Sequence, residues 1–150
     1  MTSLTSALRR DANRVPLQDI NGLTVIKSIT FANTTGAQTL FTVTGDVILR
    51  VFGVCKVAVE SAGACNIVVG VSGTTNKFIA STDATALEAN EIWHDTTPDA
   101  TIEADTVSAT YIVSNGQDVI LTPSAQLDSG RIDFYCQFRP LSTDADVVAA

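Results

Sequence analysis

The chain has 150 residues and a net charge of −7; it is 45% hydrophobic, but only 17% charged and 6% aromatic. That length suits one domain with a real core, and the acidic balance argues against a nucleic-acid binder, which needs a basic footprint to meet phosphate. No apolar run reaches the ~18–20 residues of a membrane-spanning helix, because Arg50, Lys56 and Asn66 break the longest ones, so no membrane is expected as a partner.

A mean hydropathy of +0.25 with so few charges leaves much apolar surface to hide. Burial between subunits is expected, as a homo-oligomer; the alternative is a monomer with an unusually full core. Val, Ile, Ala and Thr carry the apolar content, which is a strand composition. The opening Met-Thr-Ser-Leu-Thr-Ser-Ala-Leu-Arg-Arg has no apolar signal core, so a cytoplasmically made, unprocessed chain is expected.

Residues 1–22 show no strand alternation. Pro16 and Gly22 interrupt any longer element, and Arg9, Arg10 and Arg14 make the stretch basic. It reads as an extended arm, or else as a frayed tail. Leu23 to Asn33 reads as a strand with Leu23, Val25, Ile29 and Phe31 on one face; Lys27 is placed where that face opens to solvent. Thr39 to Thr44 is a second strand with Phe41 and Val43 inward, and Thr44-Gly45-Asp46 turns into the longest alternating run.

That run puts Val47, Leu49, Val51, Gly53, Cys55, Val57 and Val59 on one face. Ile48, Arg50, Phe52, Val54, Lys56, Ala58 and Glu60 fall on the other. Cys65, Ile67, Val69 and Val71 form a further apolar row, and Ser61-Ala62-Gly63 between the two runs suits a hairpin. In such a hairpin Cys55 and Cys65 lie about 13 Å apart along the strands. A disulfide needs Cα atoms within about 7 Å. Cys55, Cys65 and Cys136, an odd count, therefore read as small buried hydrophobes.

Thr74 to Ser81 is a short strand through Phe78 and Ile79, and Ala84 to Ala89 is strand or one helical turn. Asp83 to Asp105 carries seven acids and no Lys or Arg, and holds the only Trp and only His as Trp93-His94-Asp95. Two readings stay open. Trp93, His94 and Asp95 form a surface or receptor loop, or Trp93 caps the end of the sandwich with His94 on the surface. Val107 to Ser114 alternates, and Asn115-Gly116 is a strong hairpin dipeptide leading to a partner strand over Gln117 to Thr122. Arg131 to Arg139 is the cleanest alternation, with Ile132, Phe134, Cys136 and Phe138 inward and Asp133, Tyr135 and Gln137 outward.

About eight strands and no amphipathic helix of ordinary length define an all-β fold, an antiparallel β-sandwich or jelly-roll-like barrel. The expected organisation is an extended N-terminal arm (1–22), a β-sandwich domain (23–141) and a flexible C-terminal tail (142–150). Catalytic chemistry is not expected. His94 has no nucleophile elbow to serve, no phosphate loop or dinucleotide fingerprint is present, and a single Trp makes a poor sugar platform for paired carboxylates. One His and no Cys-x-x-Cys argue against a metal, and no cofactor is expected.

Phe41-Thr42-Val43-Thr44-Gly45-Asp46-Val47, running on through Val51-Phe52-Gly53-Val54, resembles the small β-rich virion proteins of tailed bacteriophages that serve as decoration, cement or head-fibre proteins. The likeness covers Thr24 to Thr122 and includes the Ala/Gly-rich stretch at Ser61-Ala62-Gly63 and the Thr/Ser-rich, charge-poor composition. It implies a virion protein on the capsid surface, made in the host cytoplasm. It would coat the assembled head as a trimer and clamp the major capsid protein beneath. The arm with Arg9, Arg10 and Arg14 would reach acidic patches on that partner. A glycan-binding tail or host-surface module, and a head–tail connector or tail component, are the rival readings.

Overall fold

The computed structural model describes residues 23–98, 101–104 and 109–150. Ten strands and one 3-10 turn follow in order: β1 (Leu23–Thr34), β2 (Gln38–Thr44), β3 (Val47–Glu60), β4 (Asn66–Val71), β5 (Thr74–Asp83), the turn Ala84–Ala86, β6 (Ile92–Trp93), β7 (Tyr111–Val113), β8 (Val119–Pro123), β9 (Leu127–Pro140) and β10 (Asp146–Ala149). They form two sheets. One has the order β1-β9-β3-β6, with β7 also on β3; the other runs β10-β2-β8-β4-β5. Every pairing is antiparallel. The expected antiparallel sandwich is the fold observed.

The alternation read from sequence sets the inner face of the first sheet. Val47, Leu49, Val51 and Cys55 of β3 are buried, as are Ile132, Phe134, Cys136 and Phe138 of β9. Phe41, Leu121, Ile67 and Ile79 close the core from the second sheet. Leu23, Val25 and Ile29 are only half-buried, because β1 is an edge strand. Lys27 sits on that same inward side at the open rim, half-buried, and its Nζ donates to the Ala150 carbonyl.

Strand partners depart from the expected hairpins. β3 and β4 lie in different sheets, so Ser61-Ala62-Gly63 is a crossover. β7 and β8 also lie in different sheets, although Asn115 and Gly116 both take the positive φ (60° and 68°) that their hairpin reading requires. Among the described residues, β4 and β5 are the one consecutive pair that hydrogen-bonds directly, around Gly73 at φ 82°. The C-terminal stretch is a correction too. Asp146–Ala149 pairs with Phe41–Thr44 as an edge strand instead of trailing as a tail, and buries Val147. The alternation of Val147 with its neighbours is too short to show in the sequence. The arm at 1–22 lies outside the described residues.

Three sheet-to-sheet crossings meet at Asp46. Its Oδ1 accepts from Asn115 N (2.9 Å), its carbonyl from Leu141 N (2.8 Å), and its own N–H donates to Ser142 Oγ (2.9 Å). Gly45, at φ 65°, accepts from Gly116 N at 3.0 Å. A side chain on Gly45 would lie 2.4 Å from Ser142 Oγ. The Asp46 carboxylate thus takes up the Asn115 backbone N–H at a partly exposed corner.

All three cysteines are free and buried. Burial pushes the Cys136 thiol up to about 12; burial and then the Glu91 carboxylate raise Cys55 to about 11. The folded protein should be inert to a thiol reagent such as DTNB at about pH 8 and should release all three thiols on denaturation. Fast native labelling would contradict their placement. Because both folded pKa values lie above the ordinary thiol value of 9.0, this contribution to stability is complete below pH 9.0 and is lost as pH rises towards 11 and 12. The urea midpoint should therefore fall between about pH 8 and about pH 10.5.

Candidate functional site

Among the described residues, two surfaces carry polar and aromatic chemistry: the acidic segment that follows β5, and the outer face of the β1-β9-β3 sheet.

The acidic segment spends several of its carboxylates on its own backbone. Asp83 Oδ1 accepts from Thr85 N (3.0 Å) and from Thr85 Oγ1 (2.9 Å), capping the 3-10 turn. Glu91 accepts from Glu88 N (2.9 Å) and Asp95 from Thr97 N (2.8 Å). β6 then adds two residues to β3, at Gly53 and Val54. Trp93 points into the core. Its ring meets Phe134 edge-on at 5.9 Å, and its Nε1 donates to Thr82 Oγ1 at 2.9 Å.

Of the two readings, the surface or receptor loop is corrected for Trp93 and His94, and so is the surface place that the capping reading gave His94. Trp93 is fully buried, and the His94 side chain is only 2% exposed. Asp95 alone remains at the surface. Trp93 pairs with Gly53 in the register, and the space over that glycine is filled by Ile132 and Phe134, the ring that Trp93 meets edge-on. His94 Nδ1 lies 3.6 Å from Asp95 and Nε2 3.7 Å from Glu103; neither nitrogen has a hydrogen-bond partner. These separations are longer than hydrogen bonds. A neutral ring has one N–H and could address only one of the carboxylates. Among the described residues there is no group of three His, Cys, Asp or Glu side chains arranged to hold a metal. Arg9, Arg10 and Arg14 lie outside the described residues.

The outer sheet face was not singled out in the sequence as a site. Its signal was there: large apolar residues at positions of β3 and β9 that alternation assigns to solvent. Only the register shows that they converge. Phe52 pairs with Tyr135 and Tyr135 with Ile26, so three apolar side chains cross the sheet in one row. The Phe52 and Tyr135 rings stack at 5.2 Å with 10° between planes. In the next row Arg50 donates to Gln137 (2.5 Å) and covers the Phe52 ring at 6.0 Å. Beyond it Ile48 pairs with Arg139 and Ile112, the last 73% exposed. On the other side Ser28 Oγ donates to Asp133 (2.6 Å), which Arg131 also meets at 3.3 Å. The register of β3 slips after Cys55, so Val57 stands opposite Arg131 on the outer face and is 53% exposed instead of joining the core row.

No known family model matches this chain, and no curated protein matches it. Among solved structures, the fold is similar to a chain in the acidic stable capsid structure of Helicobacter pylori bacteriophage KHP30. The two align with a TM-score of 0.51 and 13% identity over 85% of this chain and 94% of the other. A second chain comes from the disulfide-linked pili of Bacillus endospore appendages. It covers 81% of this chain and 94% of the other at 20% identity, with a TM-score of only 0.29.

Proposed function

We propose that this protein is a structural component of a bacteriophage virion, a capsid decoration protein that binds the assembled head as a trimer and braces the major capsid protein beneath it. The observation that carries this reading is the sandwich itself: almost the whole of a phage capsid chain is matched by this one, at 94% coverage. The strand order supports it. Sheets ordered β1-β9-β3-β6 and β2-β8-β4-β5, with the chain repeatedly crossing between them, follow the plan of an eight-stranded jelly roll, to which β10 adds an edge. That plan recurs in viral capsid proteins and also in lectins, so fold alone does not choose between them. The lectin-like alternative needed Trp93 as an aromatic platform, and Trp93 is in the core.

The physical role fits a rigid β scaffold whose exposed apolar side chains find partners in an assembly. The arm with Arg9, Arg10 and Arg14 would extend that contact to acidic patches of the shell and order on binding. The test is to add the full chain to empty capsids and image them. Density on the outer shell at three-fold positions is expected; density at the portal vertex or along the tail, or none at all, would overturn the decoration role. Deleting residues 1–15 should lower occupancy, and unchanged occupancy would remove the arm from the mechanism.

A further inference from the structure

The described residues include six basic side chains, Lys27, Arg50, Lys56, Lys77, Arg131 and Arg139. Four of them, Arg50, Lys56, Arg131 and Arg139, belong to the solvent side of β3 and β9. Two acids share that side: Asp133, tied to Arg131 and Ser28, and Glu60 at the far end of β3. In a chain of net charge −7, most of the basic side chains among the described residues thus gather around the Phe52–Tyr135–Ile26 row, with Ile26 53% exposed. The stretch that runs from the end of β5, in the other sheet, to beyond β6, at the far edge of this one, displays the opposite chemistry: Asp83, Glu88, Asp95 and Glu103 are exposed, and it carries no Lys or Arg.

We propose that the basic, aromatic outer face of the β1-β9-β3 sheet docks against the exposed acids Asp83, Glu88, Asp95 and Glu103 of a second copy of this chain, head to tail, so that copies close into a ring. This names the contact through which the trimer read above would form, and it rests on that reading. The charges select the geometry. A two-fold contact of this face with itself would bring the basic set Arg50, Lys56, Arg131 and Arg139 against the same set of the other copy, and like charges across an interface repel. A heterologous contact joins unlike surfaces and closes only as a ring, or else grows as a filament. Apolar side chains at the centre with charges around them match the anatomy of a protein interface. A nucleic-acid partner is less well served: Phe52 and Tyr135 each spend a ring face on the other, and Asp133 neutralises Arg131.

The experiment is sedimentation of the full chain at low and high salt. Wild type should be a closed oligomer that weakens as salt rises. Lys56→Glu with Arg139→Glu, both exposed positions, should weaken association by about 100-fold or more, while Lys77→Glu on the opposite sheet should leave it unchanged. Adding Glu88→Lys and Asp95→Lys to the Lys56→Glu/Arg139→Glu chain should restore the oligomer; far-UV circular dichroism and a melting curve check that each variant folds. A trimer indifferent to the charge reversals overturns this surface and leaves the trimer standing. A wild-type monomer at every concentration overturns self-docking, while the virion reading is still decided separately by the capsid images. Binding of a single-stranded oligonucleotide that disappears in the Lys56→Glu/Arg139→Glu variant would reassign the face to nucleic acid.

Discussion

Replacing Trp93 with Ala should lower the unfolding free energy by about 3–5 kcal/mol, and Tm by on the order of 10 °C. The indole is fully buried, stands edge-on to Phe134 at 5.9 Å, and lies on β6 opposite Gly53. No neighbouring strand is free to collapse into the space, since β3 and β9 are pinned to each other along most of their length. The loss is polar as well. Thr82 Oγ1 accepts from Trp93 Nε1 at 2.9 Å and lies 3.0 Å from the carbonyls of both Ala80 and Asp95. Through that hydroxyl, Trp93 ties β5 of one sheet to the strand entering the acidic segment. Trp93→Phe keeps much of the apolar contact and loses the N–H, so its cost should be less than half as large. Urea unfolding followed by far-UV circular dichroism is the right measurement, because the substitution removes the only Trp. A cost below about 1 kcal/mol for Trp93→Ala would mean that the indole is not packed in a core.

Gly70→Ala should be nearly as damaging, on the order of 3 kcal/mol. A methyl group there would sit 2.2 Å from the Thr74 carbonyl oxygen and 2.5 Å from the Thr75 carbonyl carbon. These are backbone atoms, so no rotamer change relieves the clash. The cause lies in the register: Val69 pairs with Ile79 but Val71 with Thr74, so the extra residues of β5 curl across the face of Gly70. Strand glycines mark such close approaches of two backbones. Gly63→Ala is the matched control, because nothing lies within 4 Å of the added methyl. Its stability should stay within about 0.5 kcal/mol of wild type. Equal effects from the two substitutions would refute the close approach at Gly70. Thermal or urea melts of the two variants side by side decide it.

The corner at Asp46 holds the two sheets together by binding three crossings at once. The surface that would meet a neighbour is held in place by the same strands. Arg50 is fixed by Gln137, and Phe52 by Tyr135, before any partner arrives. A contact side chain already held in its bound rotamer loses less entropy on docking.

The periodicity of the chain was enough to define its class and its inward faces. In β9 the alternating residues Ile132, Phe134, Cys136 and Phe138 are buried, and in β3 the rule holds from Val47 to Cys55. Side-chain direction along a strand is a local property, so two-residue periodicity reports it without knowledge of the rest. The rule fails at Val57 because a bulge is set by the partner strand, β9, some 75 residues away in sequence. Strand partners were misjudged at Ser61-Ala62-Gly63 and at Asn115-Gly116 for a related reason. Turn chemistry sets the backbone angles of the turn, here φ 60° and 68°, but not which sheet the outgoing strand joins. That choice is made by core packing and by hydrogen bonds from distant residues, such as those converging on Asp46. The same holds for the surfaces. The acids of 83–105 were plain in the chain, whereas the burial of Trp93 and His94 and the gathering of Phe52, Tyr135 and Ile26 into one row required β3, β9 and β1 to be brought side by side. Composition and alternation therefore determined a helix-poor sandwich with particular inward residues. Only the long-range pairing decided which outward residues became neighbours, and it is that set of neighbours that a partner would meet.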